Sequence, residues 1–164
     1  MSKSLENLKA AFAGESQANR KYLAFADAAD KEGHKGVAKL FRAAAAAETI
    51  HAHTHLRTMK GVGSTAENLK EAIAGETYEF KSMYPEMIET AKAESDKAAE
   101  RTFSFANEVE KVHAKLYSDA AADMAGYPEQ EWYVCSVCGY TVAGGAPDKC
   151  PVCQAQAKAF FKVD

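Results

Sequence analysis

The nonapeptide NLKAAFAGE at residues 7–15 returns as NLKEAIAGE at residues 68–76, identical at seven of nine positions. A repeat offset by 61 residues in a chain of 164 points to two copies of one supersecondary unit. The agreement runs past the phrase, because Glu48 and His51 moved on by 62 residues fall on Glu110 and His113. From Leu5 to about Lys31 large residues recur at Leu8, Phe12, Tyr22 and Phe25, the spacing of an amphipathic helix. The stretch 31–36 breaks it, and a second helix follows with Val37, Leu40, Phe41 and Ala44 on its inner stripe. Gly61-Val62-Gly63-Ser64 ends that helix, and Ser64 or Thr65 suits the N-cap of a third. The third carries Leu69, Ile73, Phe80, Met83 and Met87 and is expected to bend at Pro85. A fourth runs from about Asp96 to Met124 with Phe103, Ala106, Leu116 and Tyr117 inside. Four long helices with short connections make an up-and-down pair of hairpins.

The repeat duplicates acids as well as apolar residues. Glu15 continues the line of Leu8 and Phe12, and Glu48 and His51 that of Phe41 and Ala44. Glu76 continues Leu69 and Ile73, and Glu110 and His113 continue Phe103 and Ala106. Each helix is thus expected to point an acid at the core. Residues three apart on a helix lie roughly 5–6 Å apart at Cβ, so Glu48/His51, Glu76/Glu79 and Glu110/His113 can each converge on one point. Burying such carboxylates without a cation costs several kcal/mol per ion. Two Glu-x-x-His motifs, each with a Gly-Glu from the preceding helix, form the carboxylate di-metal pattern of ferritin-like bundles, and a carboxylate and imidazole set suits iron or manganese.

One acid breaks the symmetry: the repeat partner of Glu79 is Ala18. Four carboxylates balance two divalent ions, and a fifth favours the more oxidised pair. His51, a softer ligand, suits the reduced pair, so Glu79 and His51 are expected to compete for one ion as its oxidation state changes. Tyr22 and Tyr84 fall one to two turns beyond a ligand, where each either hydrogen-bonds a carboxylate or packs as a plain aromatic. His55 is expected not to bind metal, and His34 and His53 are expected in solvent.

All four cysteines lie between Cys135 and Cys153, as Cys-x-x-Cys, eleven residues, Cys-x-x-Cys. That spacing closes four thiolates on one tetrahedral ion, zinc or iron alike by geometry. Zinc would make the site structural, and iron a one-electron carrier. Composition changes nearby: residues 3–124 are rich in Ala, Glu and Lys with a single Pro, and Pro and Gly are frequent from Tyr127 onward. The expected organisation is a bundle over 1–126, a linker over 127–131 and a cysteine module over 132–164. A net charge of −3 with interspersed signs gives no basic patch for nucleic acid. No run of about 18 apolar residues and no apolar leader core in MSKSLENLK lead to the expectation of a cytoplasmic protein with no membrane partner.

Together these motifs resemble rubrerythrin over nearly the whole chain: Glu15, Glu48-x-x-His51, Glu76-x-x-Glu79, Glu110-x-x-His113, and a rubredoxin-like Cys135-x-x-Cys138-Gly139-Tyr140 with Cys150-Pro151-x-Cys153. The resemblance implies a mainly α, ferritin-like four-helix bundle followed by a small rubredoxin-like domain with short strands. It implies a non-haem di-iron peroxidase that reduces hydrogen peroxide to water and protects against oxidative stress. Glu15, Glu48, Glu76, Glu79, Glu110 and His113 would bind the diferric pair, with His51 replacing Glu79 on reduction. Cys135, Cys138, Cys150 and Cys153 would hold a single iron that relays electrons from an external donor, such as a reduced rubredoxin or an NAD(P)H-dependent reductase. A homodimer is implied as well. The main rival is a ferroxidase or iron-handling protein, which shares the bundle but has no need of a four-cysteine electron carrier. A zinc-filled scaffold and a di-iron oxidase or oxygenase acting on an organic substrate stand further behind.

Overall fold

Two helical hairpins and a small sheet make up the computed structural model, which describes residues 2–163. The outermost limits of the expected domains, Met1 and Asp164, lie outside the described residues. The chain divides into two compact units between Gly63 and Ser64, each built around one hairpin.

In the first unit α1 (Lys3–Lys31) begins where the Ser2 hydroxyl accepts the Leu5 amide and turns into α2 (Lys35–Thr58). The turn needs a left-handed residue, supplied by Gly33 at φ +86°, and the His34 amide then donates to the Ala29 carbonyl at 2.8 Å. The seam between the helices is alanine: Ala26, Ala29, Ala38, Ala45 and Ala52 are buried, and methyl side chains let the helices approach closely. Asn19 is buried in this seam and donates from Nδ2 to the Ala45 carbonyl at 2.7 Å and the Thr49 hydroxyl at 2.8 Å. The expectation of an inner stripe through Val37 and Leu40 is corrected here, since they are 47% and 68% exposed. The alanines beside them take the seam and displace the larger side chains to its flank.

The second unit repeats the design. Ser64 and Glu67 close a reciprocal capping box at the start of α3 (Thr65–Tyr78). A π-helical segment, Glu79–Met83, joins α3 to α4 (Tyr84–Ala93), and α5 (Lys97–Ala122) returns along both. The turn between α4 and α5 copies the first: Ser95 takes the left-handed conformation at φ +59°, and the Asp96 amide donates to the Ala91 carbonyl at 2.9 Å. The expected bend at Pro85 takes the form of the π segment, whose widened turn carries the Tyr84 amide to the Glu79 carbonyl five residues back. The same segment explains why the repeat changes offset. Glu15 and Glu76 stand 61 apart, yet Lys31, which ends α1, and Ala93, which ends α4, stand 62 apart. The extra residue therefore entered between Glu76 and Ala93, the interval that contains the π segment.

Past α5, still within the second unit, β1 (Trp132–Cys135) forms the centre of an antiparallel sheet, between β2 (Thr141–Ala143) and β3 (Phe160–Val163). The knuckle joining β1 to β2 rests on α5: a Cβ placed on Gly139 would lie 3.8 Å from Val109 Cγ1, on a side chain that is itself buried. Among the described residues no helix is long and apolar enough to cross a membrane.

Candidate metal centres

Each hairpin brings together one triad: Glu15, Glu48 and His51 in the first, and Glu76, Glu110 and His113 in the second. In each, one donor atom per residue lies within 4.8 Å of the others. The geometry is duplicated as closely as the sequence. His51 Nδ1 lies 2.9 Å from Glu48 and 4.0 Å from Glu15, and His113 Nδ1 lies 2.8 Å from Glu110 and 3.8 Å from Glu76. The three-residue step along a helix sets the short contact in each case, and the hairpin partner supplies the second acid. The carboxylates are half-buried rather than sealed in a core, and the imidazoles differ, His51 being 56% exposed and His113 26%.

Glu79 sits at the first residue of the π segment and belongs to neither triad. Burial holds its carboxyl above the ordinary range, the Glu76 charge adds to this, and His113 opposes it, so it shares the electrostatic environment of the second triad. Tyr84 does too: burial and then the charges of Glu110, Glu79 and Glu76 push its phenol up. Tyr22 instead packs in an aromatic cluster with Phe25 and Phe41 at centroid distances of 5.6–6.3 Å. Tyr117, whose phenol is raised by burial and then by Glu76 and Glu110, is a neighbour of the second triad that the sequence presents only as a packing residue.

The surroundings of the second triad disfavour the charge of its acids. Glu76 is pushed up to about 7, first by burial and then by its hydrogen bond and repulsion with Glu110. Burial raises Glu110 as well, against a lowering contribution from the same hydrogen bond. Both carboxyls therefore hold their protons more tightly than ordinary glutamates, and a cation would displace them. Because the folded-state value of Glu76 lies above its ordinary 4.5, the folded chain holds more protons than the unfolded one between about 4.5 and 7. The associated stability is fully present below 4.5 and is lost as pH rises through 7. Calorimetry of chelator-treated protein is expected to show a higher melting temperature near pH 5 than near pH 7.5, with divalent ions reversing the order.

The cysteines form the third cluster. Cys135, Cys138, Cys150 and Cys153 are free thiols whose Sγ atoms approach to 3.6 Å (Cys135–Cys153) and 3.5 Å (Cys138–Cys150). A tetrahedral ion with metal–sulfur bonds of about 2.3 Å has edges of about 3.8 Å, so the thiols already stand at near-coordinating separations. Two matching knuckles achieve this. Gly139 donates its amide to the Cys135 carbonyl at 2.8 Å, and Gln154 donates to the Cys150 carbonyl at 2.9 Å. The Cys135 and Cys150 amides in turn donate to Tyr140 and Ala155 at 2.9 and 2.8 Å. Both turns pass through left-handed backbone, at φ +85° for Gly139 and +63° for Gln154. A non-glycine residue there costs about 1–2 kcal/mol, a strain that closure of the knuckle must offset. Burial pushes the Cys138 and Cys153 thiols up, while at Cys135 burial is opposed by the amides of Val137 and Cys138 and by the thiols of Cys153 and Cys138, which together hold it low. A coordinated metal would replace all four protons.

The family model described as Rubrerythrin matches residues 6–121, and the model for the rubrerythrin, rubredoxin-like domain matches residues 133–161. Rubrerythrin-2 of Clostridium acetobutylicum is 36% identical over 170 residues, spanning 93% of this chain and 92% of that protein. Nigerythrin of Nitratidesulfovibrio vulgaris is 37% identical over 163 residues, spanning 91% and 81%. Among solved structures, nigerythrin in a partially reduced state and in a fully reduced, all-ferrous state each superpose with a TM-score of 0.60 at 35% identity, covering 99% of this chain and 88% of the other.

Proposed function

Since the chain belongs to the rubrerythrin family, we propose that it is an iron-dependent peroxidase that reduces hydrogen peroxide to water. The observation that carries this reading is the pairing, on one chain, of a duplicated Glu/Glu/His triad with a preformed four-thiolate site. Glu15, Glu48, Glu76, Glu79, Glu110 and His113 would hold two non-haem irons, and His51 would take the place of Glu79 on reduction. Cys135, Cys138, Cys150 and Cys153 would hold one further iron, with zinc able to fill the same geometry. Peroxide needs two electrons and two protons to become two waters, and two reduced irons held by these residues would supply both electrons.

The side chains orient and tune that centre. The π segment carries Glu79 at its first residue, the point where the helical ladder is widened and the backbone can most readily re-aim a side chain. Tyr84, raised by burial and the surrounding acids, keeps its proton at neutral pH and so adds no further negative charge beside them. The cysteine module provides a one-electron relay from an external donor of the rubredoxin or NAD(P)H-dependent reductase class. The exposed apolar residues of the first hairpin, among them Phe25, Val37, Leu40 and Ile50, support a homodimer. A cytoplasmic setting, and a linker at residues 127–131 between bundle and cysteine module, complete the proposal.

The test is an absorption experiment on iron-reconstituted protein reduced without oxygen. One equivalent of hydrogen peroxide is expected to restore the di-iron and iron–thiolate bands together. Bands that ignore peroxide and recover only when oxygen enters would replace this reading with a ferroxidase or oxidase.

A further inference from the structure

His113 is held from two sides. Its Nδ1 faces Glu110 at 2.8 Å, and its Nε2 lies 3.0 Å from the hydroxyl of Thr141, the first residue of β2. That hydroxyl has a single proton, and the Gly139 carbonyl, also 3.0 Å away, is an acceptor for it. With the proton spent there, the hydroxyl offers His113 a lone pair. That arrangement puts the hydrogen on Nε2 and leaves Nδ1 as the nitrogen that meets the acids. Among the described residues His51, the repeat counterpart, has its contacts at Nδ1 alone.

We propose that Thr141 is the positioning residue of His113: it locks the imidazole in the Nε2–H form with Nδ1 aimed at Glu76 and Glu110, and it ties this ligand to the cysteine knuckle. The proposal rests on the reading of that triad as a metal site. Thr141 pairs with Val134 across the sheet, and Gly139 follows Cys138 directly, so closure of the knuckle around its ion also sets the Thr141 hydroxyl. Ligand histidines commonly donate their second nitrogen to a fixed acceptor, and losing that acceptor lowers metal affinity about 10–100-fold. Here the acceptor comes from a different metal-binding module. Filling the cysteines is therefore expected to tighten the triad. His113 and Thr141 also line a cavity of about 400 Å³ with Leu69, Leu116, Tyr117 and Trp132 among its walls, so a valine at 141 would leave the Nε2–H facing this cavity without its threonine acceptor.

The test uses zinc-loaded full-length protein labelled with ¹⁵N-histidine, comparing wild type, Thr141→Val and Thr141→Ser. Wild type and Thr141→Ser are expected to show a slowly exchanging His113 proton on Nε2 with zinc at Nδ1. In Thr141→Val the proton should exchange at least about tenfold faster, and zinc affinity at the triad should fall about tenfold, within the range for lost outer partners. A cobalt–thiolate spectrum unchanged in Thr141→Val would show that the knuckle is still folded. Wild-type protein with its proton on Nδ1, or Thr141→Val with undiminished triad affinity, would overturn the positioning role alone. A wild-type triad that takes up no zinc would overturn the metal reading and the positioning role together.

Discussion

Replacing Glu110 by glutamine is expected to lower peroxide turnover by more than the roughly 10–100-fold that loss of an outer partner costs a metal site, because it removes an anionic donor from the triad itself. The amide keeps the size of the side chain and a carbonyl oxygen near His113, so packing against α3 and α4 should survive. The charge that neutralises a cation does not. Stability should move the opposite way. In the metal-free chain Glu110 and Glu76 are both held above the ordinary carboxylate range, with burial the first cause at each. A neutral amide relieves that crowding, so metal-free Glu110→Gln is expected to melt higher than wild type at pH 7, by about 2–4 °C for each kcal/mol recovered in a domain of this size. Turnover with iron content on one side and calorimetry of chelated protein on the other measure the two effects. A variant that loses activity and also melts lower without metal would mean that Glu110 serves the fold and not a cation.

The second large effect is expected at Cys150. Serine there leaves three thiolates around an ion that needs four, within a module of three short strands and their connections in which Cys135 and Cys150 are the buried side chains among the described residues. Structural ions in small cysteine modules contribute about 10–16 kcal/mol of apparent binding free energy, which is also their folding free energy. Cys150→Ser should therefore lose amide protection throughout β1, β2 and β3 while retaining nearly all helical circular dichroism, since the α1/α2 and α3/α5 seams involve none of these residues. Hydrogen exchange read by mass spectrometry separates the two regions. Protected strands in the variant would mean that the knuckle backbone holds the sheet without its ion.

Much of this was legible in the sequence, for a definite reason. A duplicated hairpin writes its helices, turns and ligands twice, so each triad could be read from local spacing and checked against its copy. Legibility ended where a property belonged to tertiary contact. The alanine seam was hidden because Val37 and Leu40 fit a helical stripe as well as Ala38 and Ala45 do, and only the closeness of two helices decides between them. Pro85 marked a disturbance without revealing its kind, although the change of offset from 61 to 62 already recorded an inserted residue. Thr141 carried no signal at all: its role depends on a residue 28 positions away. Tyr22 shows the limit from the other side, since its position fitted both an acid partner and an aromatic one, and the structure places it with Phe25 and Phe41.

The strand order has a consequence for how the protein is made. Each hairpin closes through neighbours along the chain and can fold while translation continues, as N-terminal segments generally do. The sheet cannot, because its central strand β1 must wait for β3, and the Ser136 amide for the Ala159 carbonyl. Until residues 160–163 have left the ribosome, Cys135 and Cys138 are loose thiols on a nascent chain. Metal capture at the cysteines is thus expected late in biosynthesis, and a cell short of iron is expected to accumulate chains whose helices are finished and whose cysteine site is not.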